Sequence, residues 1–349
     1  MNLKTKLKKN FMLQSLKNNN RKKPFDINKA DGNVLNTKAG ANLTDSHYFS
    51  GHASSGESFF FRYAERSNGT TEVWFTLKTT SGDIYVNPTQ LYPSNKCPAS
   101  VKCLQIGEKM AIAYHGELAK TSSGENDILS LDKIATSVQA AATFTATMPP
   151  FDFSTGLDPN FVAEALATEK WNKAFWKNLR LNRQVHYEQA GIIKLDITIN
   201  QVTQTYVFPA MRDHSYGYRD WDYMNRHIWL MILFEDGEII NLNMVNYPHM
   251  HNLMTGYRSL DGVHTSLRAL NPLNQLGLTG FVPSEIEVSI LDKNNLPVTI
   301  KGTREFVIDY SFNDGQYHIY EGVGAYQCGD KKGRGILEFG YNANTSRWK

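Results

Sequence analysis

Short apolar runs separated by turn residues dominate the pattern along this chain of 349 residues. Residues 58–63 and 72–78 are rich in aromatic and β-branched side chains, and Asn68-Gly69 lies between them. An Asn-Gly pair between two such runs is typical of a β-hairpin. Residues 193–199 alternate between apolar and polar side chains, which predicts a strand with one buried face.

The second half of the chain repeats this pattern. Residues 227–234 are nearly all apolar, which indicates a central strand, and Glu235-Asp236-Gly237 predicts a tight turn before the returning run. Further runs of this kind occur at 286–290, 306–310, 317–326 and 335–341. Strands at regular spacing with turns between them predict an all-β sandwich or barrel.

Residues 158–181 have a helical pattern instead. The segment lacks glycine, and its single proline, Pro159, follows Asp158, a candidate cap. Its apolar residues recur at roughly helical spacing: Val162, Leu166, Trp171, Phe175, Trp176 and Leu179. We predict one or two amphipathic helices whose aromatic side chains pack on a barrel.

The length of the chain suggests two domains. We expect a disordered basic tail at 1–40, an N-terminal β domain at 41–185 that includes the helical segment, and a C-terminal β domain at 186–349. The tail is expected because its lysine-rich run has too little apolar surface to offset the entropy of ordering. Transient contact of this basic tail with a membrane surface is the alternative, although apolar anchors are few.

Composition argues against several classes of protein. A net charge of +3 gives no reason to expect nucleic acid as a partner, and no apolar run approaches the length of a transmembrane helix. The odd number of cysteines, without a signal-peptide pattern, predicts a cytoplasmic protein. Hydrolase, kinase and redox motifs are absent from the sequence: it contains no Gly-x-Ser-x-Gly, phosphate-loop or Cys-x-x-Cys pattern.

Metal binding is not predicted either. His249 and His251 would point to the same face of a strand, and with His227 or His264 they could hold an ion. No acidic or cysteine ligand is close to them in the sequence. We therefore predict no metal and no cofactor.

The chemistry-bearing side chains are densest at residues 212–221, which read Arg-Asp-His-Ser-Tyr-Gly-Tyr-Arg-Asp-Trp. Charges of both signs among aromatic rings are costly to bury unless they pair and hydrogen-bond. A histidine beside carboxylates also suits proton transfer near neutral pH. The motif predicts either a structural polar network joining strands or the floor of a catalytic cleft.

The chain resembles the double-lipocalin superfamily over roughly residues 45–345. The resemblance is carried by the 212–221 motif, by His186-Tyr187-Glu188-Gln189-x-Gly191, and by a terminal Tyr320-Glu321-Gly322 with Gly333-x-Gly335-x-x-Glu338-x-Gly340-Tyr341. That superfamily includes carotenoid 1,2-hydratases, AttH-like proteins and fungal lipocalin-type Diels-Alderases. The resemblance implies two lipocalin-like antiparallel β-barrel or sandwich domains with a short helical segment between them.

The same resemblance implies a cofactor-independent hydratase, isomerase or cyclase. It would use acid/base catalysis on a hydrophobic terpenoid, polyene or polyketide-like substrate held between two barrels. His214 and a nearby aspartate are the expected catalytic positions: the candidates are Asp213, Asp220 and Asp222, of which the last two fit the pattern equally well. Many members have Trp where this chain has Tyr216, whose hydroxyl can donate a proton.

Other residues of the motif are candidates for substrate binding. Aromatic faces can stabilise cationic character, and the arginines are expected to pair with carboxylates. These candidates are Arg212, Tyr218, Arg219, Trp221, Trp229 and Glu321. A non-catalytic carrier of a hydrophobic small molecule is the alternative function, with the motif as a structural bridge, and a structural interaction protein is the remaining one.

Overall fold

The computed structural model describes residues 2–20, 25–32, 43–123, 128–181, 184–218, 223–312 and 315–348. The chain divides into two compact units. The first-sheet unit comprises Asp26–Asp152 and Gln184–Arg219, and the second-sheet unit comprises Met1–Phe25, Phe153–Arg183 and Asp220–Lys349.

In chain order, the α-helices and strands are α1 (Leu3–Asn20), α2 (Ile27–Asp31), β1 (Leu43–His52), β2 (Ser58–Arg66), β3 (Thr70–Lys78), β4 (Ile84–Val86), β5 (Leu91–Pro93), β6 (Ala99–Gln105), β7 (Lys109–Ser123), β8 (Leu129–Ala146), β9 (Phe151–Asp152), α3 (Phe153–Gly156), α4 (Pro159–Thr168), α5 (Lys173–Leu181), β10 (Gln184–Ile199), β11 (Val202–Tyr218), β12 (Arg226–Phe234), β13 (Ile239–Tyr247), β14 (Met250–Leu260), β15 (Val263–Ser266), β16 (Glu285–Leu291), β17 (Pro297–Phe312), β18 (Tyr317–Cys328) and β19 (Lys331–Asn342).

The first sheet closes on itself. Its strands are hydrogen-bonded in the order β1, β2, β3, β4, β7, β8, β10 and β11, and β11 returns to pair with β1. All of these pairings are antiparallel. Aromatic rings pack in the core of this unit: the Phe59 ring centroid lies 5.4 Å from that of Phe75 and 6.2 Å from that of Phe208.

The second sheet runs in the order β15, β14, β13, β12, β19, β18, β17 and β16. The segment after β15 forms backbone hydrogen bonds with β14, near one end of this strand order, and with β16 at the other end. The Leu267 N–H donates to the Gly256 carbonyl in β14 at 2.9 Å, and the Leu270 N–H donates to the Ser289 carbonyl in β16 at 2.7 Å. The predicted all-β class, with two antiparallel sheets and a helical segment, is confirmed.

The predicted helical segment forms α4 and α5. The side chain of Asp158 caps α4 by accepting from the Asn160 N–H at 2.8 Å, with Pro159 in the first turn, as the sequence predicted. Trp171 and Phe175 stack with ring centroids 5.8 Å apart and pack with the helices of the second-sheet unit. No helix among the described residues is long and apolar enough to cross a membrane.

The basic N-terminal segment differs from the expected disordered tail, because residues 3–20 form α1. Met12 is 4% exposed and packs in one apolar cluster with Leu166 and Phe175, while Leu13 and Leu16 pack against this cluster. These tertiary contacts supply the apolar burial that the segment lacks by itself.

The domain boundary expected at residues 185 and 186 also differs from the structure. Strand β10 pairs with β8 from Gly191 to Ile199, and β11 pairs with β1 from Ala210 to Tyr218, so both strands belong to the first sheet. Helices α4 and α5 belong instead to the second-sheet unit. The division of the chain into two units is decided by long-range strand pairing, which the local pattern of apolar and polar residues does not reveal.

Candidate functional site

Strands β1, β11 and β10 are neighbours in the first sheet, and alternate side chains of each face the aromatic core. Direct cross-strand pairs align His47 and Tyr187 with His214, one on each side of β11. We call the resulting group the His214 cluster: Asp31, Asp45, His47, Tyr187, Gln189, Arg212 and His214. The side chains that β1, β10 and β11 contribute to the His214 cluster lie on the same face of the sheet as the aromatic core, so the polar cluster continues that face.

His214 is hydrogen-bonded through both ring nitrogens. Its Nε2 lies 2.7 Å from Asp45 Oδ1, and its Nδ1 lies 2.8 Å from the Tyr187 hydroxyl. His214 is 1% exposed and Tyr187 is fully buried. Burial lowers the pKa of His214 to about 4, although the charge of Asp31 opposes this shift. The imidazole of His214 is therefore neutral near pH 7.

Asp45 has the opposite shift. Burial raises the pKa of the Asp45 carboxyl above its usual value, and the charge of His47 only partly opposes the effect. Asp45 therefore retains its proton to a higher pH than an exposed aspartate would. A buried carboxyl with this property is suited to donate a proton.

Arg212 holds Asp31 in a buried ion pair. Its Nη1 and Nη2 donate to the two carboxylate oxygens, each at 3.1 Å, and its Nε donates to Gln189 Oε1 at 2.9 Å. The Gly107 N–H and the Tyr187 hydroxyl also donate to Asp31. Burial alone would raise the pKa of Asp31, but the Arg212 charge and these hydrogen bonds together lower it. Asp31 is thus an ionised carboxylate.

Asp31 was missed by sequence analysis, because it lies in the segment expected to be disordered. It ends the five-residue helix α2, whose cap is Asp26. The Asp26 side chain accepts from the N–H groups of Asn28 and Lys29 at 3.1 and 3.4 Å. This cap is the local signal in the sequence, but the partners of Asp31 are more than 70 residues away along the chain.

His47 is the less buried edge of the cluster, and Tyr216 lies next to the cluster. The His47 ring stacks on His214 with centroids 3.9 Å apart, and its Nε2 lies 3.7 Å from Asp45 Oδ1. The His47 side chain is 16% exposed, and no described residue bonds to its Nδ1. Burial lowers the pKa of His47 to about 3, with the charge of His214 adding to the effect. The half-buried Tyr216 ring lies 5.5 Å from that of His214.

Asp213 lies on the opposite face of β11 from His214, because successive side chains of a strand alternate. Its carboxylate contacts His186 Nε2, and Glu188 is its direct cross-strand neighbour. The expected pairing of His214 with Asp213 is therefore corrected: among the described residues, the carboxylate bonded to His214 is that of Asp45.

The other candidates from the motif are dispersed. Tyr218 ends β11, and its carbonyl accepts from Gln184 Nε2 at 2.5 Å. Arg212 does pair with a carboxylate, but the partner is Asp31. Four further candidates lie outside the described residues: Arg219, Asp220, Trp221 and Asp222.

Trp229 and Glu321 belong to the second-sheet unit. Glu338 in β19 is the direct cross-strand neighbour of both, so the three side chains share one face of the sheet. This face is opposite to the core that contains Ile228 and Leu230. Glu321 is fully buried and Trp229 is half-buried.

A second carboxylate–histidine–tyrosine chain lies on this face. His227 Nε2 is 2.5 Å from Glu338 Oε1, and His227 Nδ1 is 2.7 Å from the Tyr317 hydroxyl. The ring reaches Tyr317 across Gly340, where an added Cβ would lie 2.1 Å from His227 Cε1. Sequence analysis considered His227 only as a metal ligand and missed this chain.

Among the described residues, two sets of potential metal ligands have ligand atoms within 4.8 Å of one another: Asp45, His47 and His214 in the cluster, and His186, Glu188 and Asp213 on the opposite face. In the first set the two imidazoles are stacked at an interplanar angle of 20°. Imidazole binds a metal in the plane of its ring, so nearly parallel stacked rings do not converge well on one ion. Neither set includes His249 or His251.

The model of a family of unknown function, DUF8627, matches residues 2–339, so the chain belongs to that family. No curated protein matches the sequence. Among solved structures, the chain is similar to a putative AttH from Nitrosomonas europaea, with 9% identity, a TM-score of 0.46 and coverage of 88% of this chain and 95% of that chain. AttH-like proteins are also among the groups that the sequence motifs resemble.

The chain is also similar to two further solved structures. For CghA the identity is 9% and the TM-score is 0.49, with 87% of this chain and 90% of that chain covered. For kievitone hydratase from Nectria haematococca the identity is 11% and the TM-score is 0.49, with 92% and 95% covered. These values describe a distant likeness.

Proposed function

We propose that this member of a family of unknown function is a cofactor-independent acid/base catalyst acting on a hydrophobic small molecule. The reaction would be a hydration, isomerisation or cyclisation of a terpenoid, polyene or polyketide-like substrate. Asp45 and His214 together would supply and recover the proton. The observation that carries the proposal is the hydrogen-bonded chain from Asp45 through His214 and Tyr187 to Asp31.

The positions of the protons in this chain follow from its ionised end. Tyr187 has one hydroxyl proton, which it donates to the Asp31 carboxylate. Its oxygen then accepts from Nδ1–H of His214, which leaves a lone pair on the Nε2 of that neutral imidazole. The proton of the bond between His214 and Asp45 therefore comes from Asp45, in agreement with the raised pKa of its carboxyl.

This arrangement supports a role for Asp45 as the acid. When Asp45 gives its proton to a substrate atom, the Asp45 O–H bond breaks and a bond from that hydrogen to the substrate forms, and the carboxylate that remains can take a proton back from the reaction intermediate. The hydrogen bonds that join His214, Tyr187 and Asp31 hold the cluster in place during this step, so little reorganisation is needed. Exclusion of water from the buried cluster strengthens these interactions.

His47 and Tyr216 are the proposed substrate-facing residues, because both are more exposed than His214. Burial raises the pKa of the Tyr216 hydroxyl, which therefore remains a hydrogen-bond donor. Their rings offer apolar faces to a hydrophobic substrate. Roles in catalysis for Asp220 and Asp222 and in substrate binding for Tyr218, Arg219, Trp221, Trp229 and Glu321 also remain proposals. Asp213 has no role in the proposed mechanism, because it lies on the opposite face of β11 from His214.

The test is incubation of the purified protein with hydrophobic extracts in deuterated water, followed by mass spectrometry of both bound and converted compounds. An acid/base catalyst should yield a product that is an isomer or is one water heavier, with deuterium at a former substrate carbon. A compound that is retained unchanged would instead favour a carrier and would contradict the proposal.

Matched variants locate the activity. Asp45→Asn and Tyr187→Phe keep side-chain shape and should lower turnover by about 100-fold or more, which is typical for loss of general acid/base catalysis. Asp213→Asn, on the opposite face of β11, is the control and should retain turnover. If all three variants fold, as verified by circular dichroism, and Asp45→Asn and Tyr187→Phe turn over substrate as fast as the Asp213→Asn control does, the His214 cluster has no part in the mechanism.

A further inference from the structure

We propose that helix α1 docks the protein on the surface of an anionic lipid bilayer, with Leu3, Leu7 and Phe11 as the inserted side chains. These residues lie four apart, so they form a line along one face of the helix. They are 75%, 63% and 60% exposed. The site is separate from the His214 cluster and does not depend on the proposed catalytic function.

The opposite face of α1 is already occupied. Met12 is buried against α4 and α5, and Leu13 and Leu16 pack against the same cluster. Lys9 Nζ bonds Glu164 Oε2 at 3.0 Å, which also fixes the helix to α4. Packing therefore commits one face of the helix to the protein and leaves Leu3 and Leu7 toward solvent. Phe11 lies at the border between the two faces, because its ring centroid is 5.8 Å from that of Trp171 while the side chain remains 60% exposed.

Lysines flank this line. Lys4, Lys6 and Lys17 are exposed, and within the described ranges no carboxylate forms an ion pair with them. Lys8 differs, because its Nζ donates to the Glu169 carbonyl and lies 4.9 Å from the Trp171 ring centroid. Three cations are thus left available beside three exposed apolar side chains.

Charge is concentrated in the layer formed by α1, α4 and α5. Residues 2–20 and 159–181 together contain nine lysines and arginines but two acidic residues, whereas the whole chain has a net charge of only +3. The remainder of the chain is therefore net negative. A membrane with anionic headgroups would therefore attract the helical layer more strongly than the remainder of the chain.

The combination of groups favours a lipid surface over nucleic acid. A phosphate backbone is bound by cations and polar groups and gains nothing from a line of exposed aliphatic side chains. An interfacial helix needs both, with apolar side chains inserted at the acyl boundary and lysines at the headgroups. α1 is not apolar enough to cross a membrane, in keeping with a helix that lies on the surface.

The experiment is cosedimentation of the full chain with vesicles of phosphatidylcholine alone and of phosphatidylcholine mixed with phosphatidylserine. We expect binding to the mixed vesicles that weakens with added salt, and little binding to the neutral ones. Leu3→Asn with Leu7→Asn should weaken binding by about tenfold or more, because two inserted apolar side chains are lost. Lys4→Gln with Lys6→Gln should weaken it by about tenfold, since each lysine near an anionic surface is worth several-fold.

Matched double variants test the location. Val263→Asn with Leu296→Asn removes two aliphatic side chains of similar exposure, 65% and 59%, from elsewhere in the same unit. Lys293→Gln with Lys301→Gln removes two exposed lysines outside the helical layer. Both controls should bind like the unmodified chain. Absence of vesicle binding, equal loss in controls and test variants, or tighter binding to a DNA duplex than to the mixed vesicles would each overturn the proposal.

Discussion

Each of the two units contains a buried histidine between a carboxylate and a tyrosine, but the two hydrogen-bonded chains are held in place differently. In the first-sheet unit, Tyr187 continues to Asp31, which Arg212 holds as an ionised carboxylate. In the second-sheet unit, the hydrogen-bonded chain runs from Glu338 through His227 to Tyr317. The charge at the end of the first chain determines which atom holds each proton.

The two chains also differ in how the sheet accommodates them. The His214 cluster lies on the core face of the first sheet, where His47 and Tyr187 directly flank His214 across the strands. His227 lies on the face opposite to its core and crosses Gly340 to reach Tyr317. The hydrogen-bonded chain of carboxylate, histidine and tyrosine thus depends on the Arg212–Asp31 ion pair in the first-sheet unit. In the second-sheet unit it depends on the glycine at position 340.

The largest effect is expected from breaking the ion pair at the end of the first chain. Arg212→Met should destabilise the protein by about 3–5 kcal/mol, because it leaves the buried Asp31 carboxylate uncompensated. Chemical denaturation near pH 7 measures the change. Adding Asp31→Asn should recover part of the lost stability, and a single variant as stable as the unmodified chain would show that the pair is not needed.

A pH titration of stability sharpens the comparison next. The pKa of His214 is lowered from 6.5 to about 4 in the folded state, so the unfolded chain binds the proton more readily. This group therefore contributes stability that is present above pH 6.5 and is lost as the pH falls toward about 4. The contribution is up to roughly 3 kcal/mol.

The raised pKa of Asp45 acts in the opposite direction, because it favours the folded state at low pH and loses that effect as the pH rises. Denaturant titrations between pH 7 and 4.5 measure the net slope. We expect His214→Gln to flatten this slope, because the variant removes the group whose pKa is lowered on folding. Equal slopes for His214→Gln and the unmodified chain would contradict the assignment.

The smallest of these effects concerns the glycine beneath His227. Gly340→Ala should cost about 1–3 kcal/mol, because the new Cβ would collide with the imidazole and the backbone or ring would have to shift. In a His227→Ala background the same change should cost much less. A double-mutant cycle on the free energy of unfolding measures the coupling between the two positions. If the free-energy costs of the two substitutions are additive, space for the His227 ring is not the reason for glycine at position 340.

Local pattern was sufficient to predict many of the elements. The Asn68-Gly69 hairpin joins β2 to β3, with Gly69 at a φ of +81°, and the cap of α4 is where the sequence placed it. Period-two alternation could also have separated Asp213 from His214, had residues 212–218 been recognised as a continuous strand. The all-β class was predictable because alternation and turn chemistry are local properties.

The rest depended on distant contacts. Asp31 and Arg212 are 181 residues apart, and neither the pattern around α2 nor the charge run of α1 predicts their partners. Asp45 lies in β1, and only the pairing of β1 with β11 brings it to His214. The candidate site is therefore a product of strand order, and strand order was the part of the fold that local pattern could not supply.

The closure of the first sheet by β11 has a consequence for folding during synthesis. When residues 26–152 have emerged, β1 and β8 still lack the partners that β11 and β10 provide, so each has an unpaired edge. The helices of the other unit are made before those partners arrive. The nascent chain must therefore keep two open strand edges from pairing wrongly until β10 and β11, which carry Tyr187 and His214, are added to the barrel.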